Sequence, residues 1–264
     1  MLAGGFDPAL TERAKMEIDM GVAPLPPEEL RERVSGARDP KSFDLSGAAT
    51  VDEWTRALAA IGKKWGDFQT IVDFGCGCGR AIRHLRSKMD PAAQTLIGLD
   101  PDAEAIDWVV RNLDAIGYVL SDLPPASMPD NSADLIVSHS VFTHLPEDVQ
   151  HAWLGELRRL LKPGGVLITT VHGDHAFRSY YNDVIRAGQP ETAQVLMNAM
   201  NAEGFLYIKG RTAAEAALPE YYGAAFHKIK YVHETWSRYF NLLAWFPRFA
   251  LNLQDTLVLQ KSTT

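Results

Sequence analysis

Short apolar runs that end in a carboxylate recur through the middle of the chain, and they constrain its fold more than any other feature. They occupy residues 71–73, 96–100 and 119–122, which end in Asp73, Asp100 and Asp122. Segments with helical periodicity lie between them, a pattern typical of stacked βα units and a parallel sheet. We therefore predict strands at residues 70–74, 95–99, 117–121, 133–138 and 165–171.

The segments between these strands predict amphipathic helices. One stripe of apolar residues, spaced to lie on one helix face, consists of Ile106, Val109, Val110 and Leu113. Pro101 and acidic residues precede this stripe and suit a helix N-terminus. A shorter stripe follows Gly79, and a third helix is predicted from Pro146 to the Pro163-Gly164 turn.

Outside this alternation, the chain divides into three further segments. Residues 1–66 predict an N-terminal helical segment, and 67–175 form the βα core. Residues 176–233 are interpreted as a substrate-side insertion, with helices near 191–202 and 212–218. Residues 234–264 predict a terminal strand pair that completes the sheet, with strands near 237–245 and 254–260 joined by a turn near Pro247.

Composition narrows the function classes. The net charge of the 264 residues is −7, and residues 67–175 hold eight Lys and Arg against fifteen Asp and Glu. A nucleic-acid partner is therefore not expected.

No apolar stretch approaches the ~18 residues of a membrane span, so we expect a soluble, cytoplasmic protein without a membrane partner. Cys76 and Cys78 are too close for a mutual disulfide and too few for a zinc site, which predicts reduced thiols and no metal.

A glycine-rich loop, Asp73-Phe74-Gly75-Cys76-Gly77-Cys78-Gly79-Arg80, joins the first strand to the first helix. Alternating glycines let backbone approach a ligand closely at the carboxyl end of a strand. A dinucleotide fingerprint needs its third glycine where this chain has Arg80. The Asp73 carboxylate suits an ammonium group, so an amino-acid-bearing ligand fits better; the alternative is a structural turn with a helix-capping acid.

The next two strand-end acids continue this pattern. Asp100 can bind both hydroxyls of a ribose, as acids at that position do in nucleotide folds, or it can cap the following helix. Asp122, with the backbone of Leu123, can meet an adenine amino group, or it can belong only to the turn at 122–125. The three acids together predict a site for amine, ribose and base.

The run from Asp73 to Gly79, the Asp100 site, the 121–123 turn and Leu161-Lys162-Pro163-Gly164-Gly165 resemble the motifs of class I S-adenosylmethionine-dependent methyltransferases. The resemblance covers roughly residues 45–175. It implies an α/β, Rossmann-like, seven-stranded and mostly parallel sheet of order 3-2-1-4-5-7-6, flanked by helices, with S-adenosylmethionine as the cofactor. The cofactor-binding residues that it implies are Asp73, Gly75, Cys76, Gly77, Arg80, Asp100, Pro101, Asp122, Leu123 and Ser138.

Such an enzyme is expected to methylate a small-molecule acceptor, most simply at a hydroxyl. Residues 138–145 and 236–240, with Gln254-Asp255, resemble a bacterial subgroup often met beside glycan-building enzymes, which favours a sugar or glycan precursor. His139 and His144 are the candidate bases, with a structural role as the alternative for each. Six of the eight tyrosines fall within residues 173–233 and either line an acceptor pocket or form the core of a helical cap.

The sequence leaves two other function classes open. One is a non-catalytic module that binds S-adenosylmethionine, and the other is an NAD-dependent oxidoreductase, which Arg80 disfavours. Among methyltransferases, an amine-directed nucleic-acid enzyme would show Asn or Asp followed by Pro-Pro-aromatic after the fourth strand. Ser138-His139-Ser140-Val141 stands there instead.

Overall fold

The computed structural model of the protein describes residues 23–36, 38–210 and 219–263, which fold around one central sheet. Its seven strands have the order β3-β2-β1-β4-β5-β9-β8, and β6 and β7 form a separate two-stranded sheet. The strands are β1 (Thr70–Phe74), β2 (Thr95–Asp100), β3 (Ile116–Val119), β4 (Ala133–Val137), β5 (Leu161–Val171), β6 (Phe205–Lys209), β7 (Gly223–His227), β8 (Asn241–Ala250) and β9 (Gln254–Gln260).

Helices cover the sheet and precede it in the chain. They are α1 (Glu28–Ser35), α2 (Pro40–Ala60), α3 (Ile82–Leu85), α4 (Ala103–Asn112), α5 (Glu147–Leu160), α6 (Asp174–Arg186), α7 (Pro190–Glu203) and α8 (Ile229–Trp236). The helices α1 and α2 lie in the described part of residues 1–66, the segment that the sequence predicts to be helical.

The predicted order of the main sheet is confirmed. When β6 and β7 are set aside, β9 and β8 are the seventh and sixth strands of the order 3-2-1-4-5-7-6. Strands β1 to β5 pair in parallel, and β9 runs antiparallel between β5 and β8. This arrangement brings the carboxyl ends of β1, β2 and β4 to one edge of the sheet.

The continuous apolar runs of the central strands reflect burial on both faces. Ile71 of β1 and its neighbour Leu135 of β4 pack into the cluster on one face of the sheet. Val72 and Ile136, the next residues along, pack into the cluster on the other face. A strand covered on both faces must be apolar at every position, which is why these strands do not alternate with polar residues.

The predicted helix after β2 forms, with one exposed residue in its stripe. Asp102 caps α4 by accepting hydrogen bonds from the backbone N–H groups of Glu104 (3.0 Å) and Ala105 (3.1 Å). Ile106, Val109 and Leu113 are buried. Val110 is 52% exposed, so its predicted inward position is wrong; it lies against β3, the edge strand, and no further strand covers its outer side.

The terminal strands form, but their predicted turn is wrong. Pro247 lies inside β8, and the turn falls at residues 251–253, where Leu251 and Asn252 have φ of 47° and 57°. Pairing between β8 and β9 is irregular between Phe246 and Ala250. An edge strand tolerates proline at such an irregularity because no further strand needs its missing N–H donor.

The insertion is only partly helical. The helix predicted at 191–202 is confirmed as α7, and the one at 212–218 lies outside the described residues. The hairpin of β6 and β7 was not predicted. Its strand β7 bonds to the loop after β4, because the N–H groups of Gly223 and Ala225 donate to the carbonyl oxygens of His144 (3.0 Å) and Thr143 (2.8 Å). The hairpin thereby reaches the carboxyl edge of the main sheet.

Cys76 and Cys78 are both buried free thiols. Within residues 23–36, 38–210 and 219–263, no helix has the length and apolar character needed to cross a membrane. The same ranges contain no cluster of three or more His, Cys, Asp or Glu side chains placed to hold a metal ion.

Candidate active site

A cavity of about 190 Å³ opens at the carboxyl edge of the sheet, and the three strand-end acids all line it. Asp73 is the penultimate residue of β1, Asp100 is the last residue of β2, and Asp122 lies in the loop after β3. The structure therefore brings together groups that are far apart in sequence, as the strand-end pattern predicts.

Asp73 is a buried acceptor that faces the cavity. Its side chain accepts no hydrogen bond from any residue that the structure describes, although the residue is only 2% exposed. Burial raises the pKa of Asp73 to about 7, Asp100 adds to the rise, and the nearby Arg80 opposes it. A buried carboxylate in this state is stabilised by a cationic donor, so it fits the ammonium group of an amino-acid moiety.

The glycine loop packs so closely against its neighbours that two of its positions have no room for a side chain. Gly75 and Gly77 have φ of 79° and 51°, in the left-handed region that favours glycine. A Cβ atom on Gly75 would overlap the side chain of Val141, and one on Gly77 would lie 2.6 Å from Val34. Both glycines also line the cavity, so the loop presents backbone there, a second feature that fits the expected cofactor.

Asp100 braces the glycine loop rather than capping α4. Its Oδ2 accepts a hydrogen bond from Gly77 N (2.7 Å), and its Oδ1 accepts one from Asp102 N (2.9 Å). Burial raises the pKa of Asp100 to about 6. Since Asp102 caps the helix, Asp100 presents a fixed carboxylate to the cavity, where a diol such as a ribose could donate to its remaining lone pairs.

The loop after β3 is held by the insertion. The Tyr221 hydroxyl donates a hydrogen bond to the carbonyl oxygen of Asp122, and both residues line the cavity. The Asp122 side chain is exposed at the cavity mouth. Its position is compatible with the predicted contact to an exposed amino group of a base.

Most of the residues implied by the resemblance lie together, but two do not. The cavity lining includes Asp73, Gly75, Cys76, Gly77, Arg80, Asp100, Pro101 and Asp122. Leu123 is 51% exposed and Ser138 is fully buried, and neither lines the cavity. Ser138 continues the sheet by donating from its N–H to Ile168 O (2.8 Å), which keeps its side chain in the interior. Leu123 points outward from its turn.

Arg80 is a half-buried cation at the same cavity. Its Nη1 lies 3.4 Å from Ser46 Oγ, and no described carboxylate lies within ion-pair distance of it. Burial lowers the pKa of Arg80, and Asp73 opposes that shift. A guanidinium in these surroundings fits an anion, and the carboxylate of an amino-acid moiety is one.

The two candidate bases have different surroundings. Burial, followed by the charge of Arg80, holds the pKa of His139 well below its ordinary value. The His139 Nδ1 atom is buried and has no hydrogen-bond partner among the described residues. His139 is therefore neutral and a weak base, although it lines the cavity.

His144 is held in one tautomer by the insertion. Its Nδ1 lies 2.8 Å from Gly223 O, and its ring stacks on Tyr222 with centroids 4.2 Å apart and an interplanar angle of 13°. A carbonyl oxygen only accepts, so Nδ1 carries the proton in the neutral ring. The Nε2 atom is then the acceptor of that ring, and it lies 3.4 Å from Ser140 Oγ.

Sequence reasoning missed several lining residues. These are Arg33, Val34, Trp54, Ser140, Val141 and Pro219. Ser140 and Val141 belong to the segment 138–145 quoted for the weaker resemblance, so a signal for them existed. Only Tyr221 and Tyr222 of the six tyrosines reach the cavity; Tyr231, for example, packs in the core and donates to Glu147 (2.6 Å). Nothing local marks Val34 or Trp54, which reach the cavity from the preceding helices.

The fold is an α/β domain, and the cavity at the carboxyl ends of its strands presents groups that fit a nucleoside carrying an amino acid. Residues 71–165 match the family model described as a methyltransferase domain. A malonyl-[acyl-carrier protein] O-methyltransferase of Yersinia pestis is 28% identical over 163 residues, which are 61% of this chain and 57% of that protein. A tRNA N(3)-cytidine methyltransferase of Danio rerio is 31% identical over 139 residues, which are 49% and 37% of the two chains.

A solved structure has the same fold. It is a 1,6-didemethyltoxoflavin-N1-methyltransferase of Burkholderia thailandensis with bound S-adenosylhomocysteine, and it aligns with a TM-score of 0.54 and 13% identity over 99% of this chain and 93% of its own. The chain spans less than two thirds of the two sequence relatives described above. Residues 71–165 therefore form a methyltransferase domain, and over this domain the chain is similar to class I S-adenosylmethionine-dependent methyltransferases.

Proposed function

We propose that the protein transfers a methyl group from S-adenosylmethionine to the hydroxyl oxygen of a small-molecule acceptor. The observation that carries this proposal is that His144, with Nε2 as the acceptor nitrogen of its neutral ring, lines the same cavity as Asp73 and Asp100. A group able to take a proton therefore shares one space with the groups that fit the cofactor.

The cofactor would be held by the strand-end residues. Asp73 would accept from its ammonium group, Arg80 would bind its carboxylate, and Asp100 would accept from the ribose hydroxyls. Asp122 would meet the adenine. When bound, S-adenosylmethionine supplies an electrophilic methyl carbon, whose bond to sulfur breaks as its new bond to the acceptor oxygen forms.

The chain's own contribution is alignment and proton removal. The walls formed by Val141, Tyr221 and Tyr222 would exclude water and orient the acceptor, which is most of what an in-line displacement requires. His144 Nε2 would take the hydroxyl proton, while Gly223 O stabilises the resulting imidazolium through Nδ1–H. His139 is less suited to this step because its pKa lies well below its ordinary value.

A small acceptor is favoured over a nucleic acid by charge. The chain has a net charge of −7, which opposes binding to a polyanion. The weaker resemblance at 138–145 favours a sugar or glycan precursor as the acceptor. The tRNA-modifying relative makes RNA the main competitor within methyltransferases.

The test is transfer of labelled methyl from S-adenosylmethionine to a panel of monosaccharides, nucleotide sugars, phenols, carboxylic acids, amines and bulk tRNA. The proposal expects O-methylated product from a hydroxyl compound. Binding of S-adenosylhomocysteine with no product from any compound would support a non-catalytic module. Labelled tRNA, or a carboxylic ester as the sole product, would replace the proposed acceptor class.

A further inference from the structure

Ser140 has a backbone conformation that few non-glycine residues adopt. Its φ is 62°, in the left-handed region, and it lines the cavity four residues before His144 in the loop after β4. Such conformations persist where surrounding contacts hold them, and they cluster at functional sites. The contacts that hold Ser140 come from two strands on the far side of the loop.

These contacts form a hydrogen-bond chain with a single direction. The Ser140 N–H donates to Thr170 Oγ1 (2.8 Å), so the Thr170 hydroxyl hydrogen is available to donate to Gln254 Oε1 (2.7 Å). This fixes the Gln254 amide, whose Nε2 donates to Ser140 Oγ (2.9 Å). Ser140 Oγ therefore receives one hydrogen from Gln254 and keeps its own.

The hydrogen of Ser140 has two neighbours that can accept it. Thr143 Oγ1 lies 3.1 Å from Ser140 Oγ, and His144 Nε2 lies 3.4 Å from it. The second distance is long for a hydrogen bond, as catalytic pairs often are before the substrate arrives. A hydroxyl oxygen placed against both atoms can accept from Ser140 and donate to His144.

We infer that Ser140 and His144 bind the acceptor hydroxyl as a pair, with Ser140 donating to it and His144 accepting from it. Gln254 and Thr170 are positioning residues that set the direction of the Ser140 hydroxyl. This inference rests on the proposed function and narrows its substrate class. The acceptor must offer a group that both donates and accepts, which a neutral hydroxyl does and an ionised carboxylate does not.

Three substitutions separate this role from folding. Ser140→Gly removes the hydroxyl while favouring the left-handed backbone. Gln254→Glu introduces a carboxylate that only accepts, so the Ser140 hydrogen turns toward it and away from the acceptor. Thr169→Val is the matched control, because Thr169 neighbours Thr170 on β5, is fully buried, and has a hydroxyl without a hydrogen-bond partner among the described residues.

The experiment is long-range ¹H–¹⁵N NMR of the histidine rings in the full chain with S-adenosylhomocysteine, with His144→Gln used to assign the signal. Ethylene glycol, a minimal diol, is then titrated as the hydroxyl probe. We expect Nε2 of His144 to be the unprotonated nitrogen, and its shift to move with ethylene glycol in the wild type and Thr169→Val. In Ser140→Gly and Gln254→Glu, the movement should fall by at least half.

Three results would overturn the inference. They are a protonated Nε2 in the wild type, no movement of its shift with ethylene glycol, or equal movement in the wild type and Ser140→Gly. Each is independent of methyl transfer. Absence of labelled product from the acceptor panel would count against the proposed function alone.

Discussion

The Nδ1 atom of His144 lies 2.8 Å from the carbonyl oxygen of Gly223, although 79 residues separate them in the chain. The same strand residue donates its N–H to the carbonyl oxygen of His144 (3.0 Å). The insertion therefore fixes both the backbone position and the tautomer of the proposed base. This contact couples a segment outside the sheet to the chemistry at its edge.

Gly223→Ala should disturb that coupling. A Cβ atom there would lie 2.5 Å from Ile208 O and 2.7 Å from the Tyr207 hydroxyl, so the strand must shift. We expect turnover to fall about tenfold or more, the effect of a misplaced catalytic group, with S-adenosylhomocysteine affinity nearly unchanged. Gly210→Ala is the control, since nothing lies within 4 Å of its added Cβ. Equal turnover in the two variants would contradict the role of the contact.

Gly75→Ala should abolish cofactor binding. The substitution combines a left-handed φ of 79° with overlap against Val141. Gly62→Ala is the control, because Gly62 has a similar φ of 71° but nothing within 4 Å of an added Cβ. It therefore measures the effect of backbone strain without a steric clash. We expect calorimetry to show lost S-adenosylhomocysteine binding only in Gly75→Ala. Unchanged affinity in that variant would show that binding does not depend on the close packing of the loop at Gly75.

The acids predict a pH dependence of binding. Burial raises the pKa of Asp73 to about 7 and that of Asp100 to about 6, and both must be ionised to accept fully from an ammonium group or a ribose. The affinity for S-adenosylhomocysteine should therefore increase as the pH rises from about 5.5 to 8. Titrations at several pH values check this, and an affinity that decreases over this range would oppose the assignment.

The raised pKa of Asp73 also predicts how the stability of the ligand-free protein depends on pH. Between about pH 4 and 7, an unfolded Asp73 has lost its proton while the folded one retains it. The folded state then binds more protons, so the free energy of unfolding should decrease as pH rises through this window. Asp73→Asn should flatten that dependence in thermal or urea unfolding. An unchanged slope would mean that Asp73 ionises normally in the folded protein.

The two histidines should differ in kinetic effect. His144→Gln should lower kcat by roughly 10²–10⁴, the range for loss of a general base, with S-adenosylhomocysteine affinity within about threefold, a difference under 1 kcal/mol. His139→Ala should lower kcat less, because a base whose pKa lies well below its ordinary range takes a proton poorly. Initial rates against acceptor concentration measure both effects. A larger loss in His139→Ala would reverse the assignment.

The parts that follow from local pattern were predictable from the sequence. Asp73 and Asp100 each follow an apolar run that predicts a strand. Because the carboxyl ends of parallel strands lie at the same side of a sheet, the two acids are predicted to lie close together without knowledge of tertiary contacts. The Gly223 contact with His144 was not predictable, because it depends on how a hairpin of weak local signal docks. The close approach of Val34 to Gly77 was not predictable either, because it depends on how α1 packs against the glycine loop.

The exposed Val110 illustrates a different limit. Helical spacing places it on the apolar stripe, but burial of a helix face also depends on how many strands lie beneath it. Since α4 packs at the edge strand β3, the sheet covers Ile106 and Val109 and leaves Val110 half exposed. Strand order decides this, and spacing within the helix does not encode it.

Calorimetric titration of S-adenosylhomocysteine into the wild type and Asp73→Asn tests the central claim most directly, with NAD⁺ as the competing ligand. The predicted result is one S-adenosylhomocysteine per chain, affinity at least about tenfold weaker in Asp73→Asn as expected for a lost charged hydrogen bond, and no heat with NAD⁺. Failure of S-adenosylhomocysteine to bind, or equal affinity in Asp73→Asn, would contradict the site described at the ends of β1 and β2.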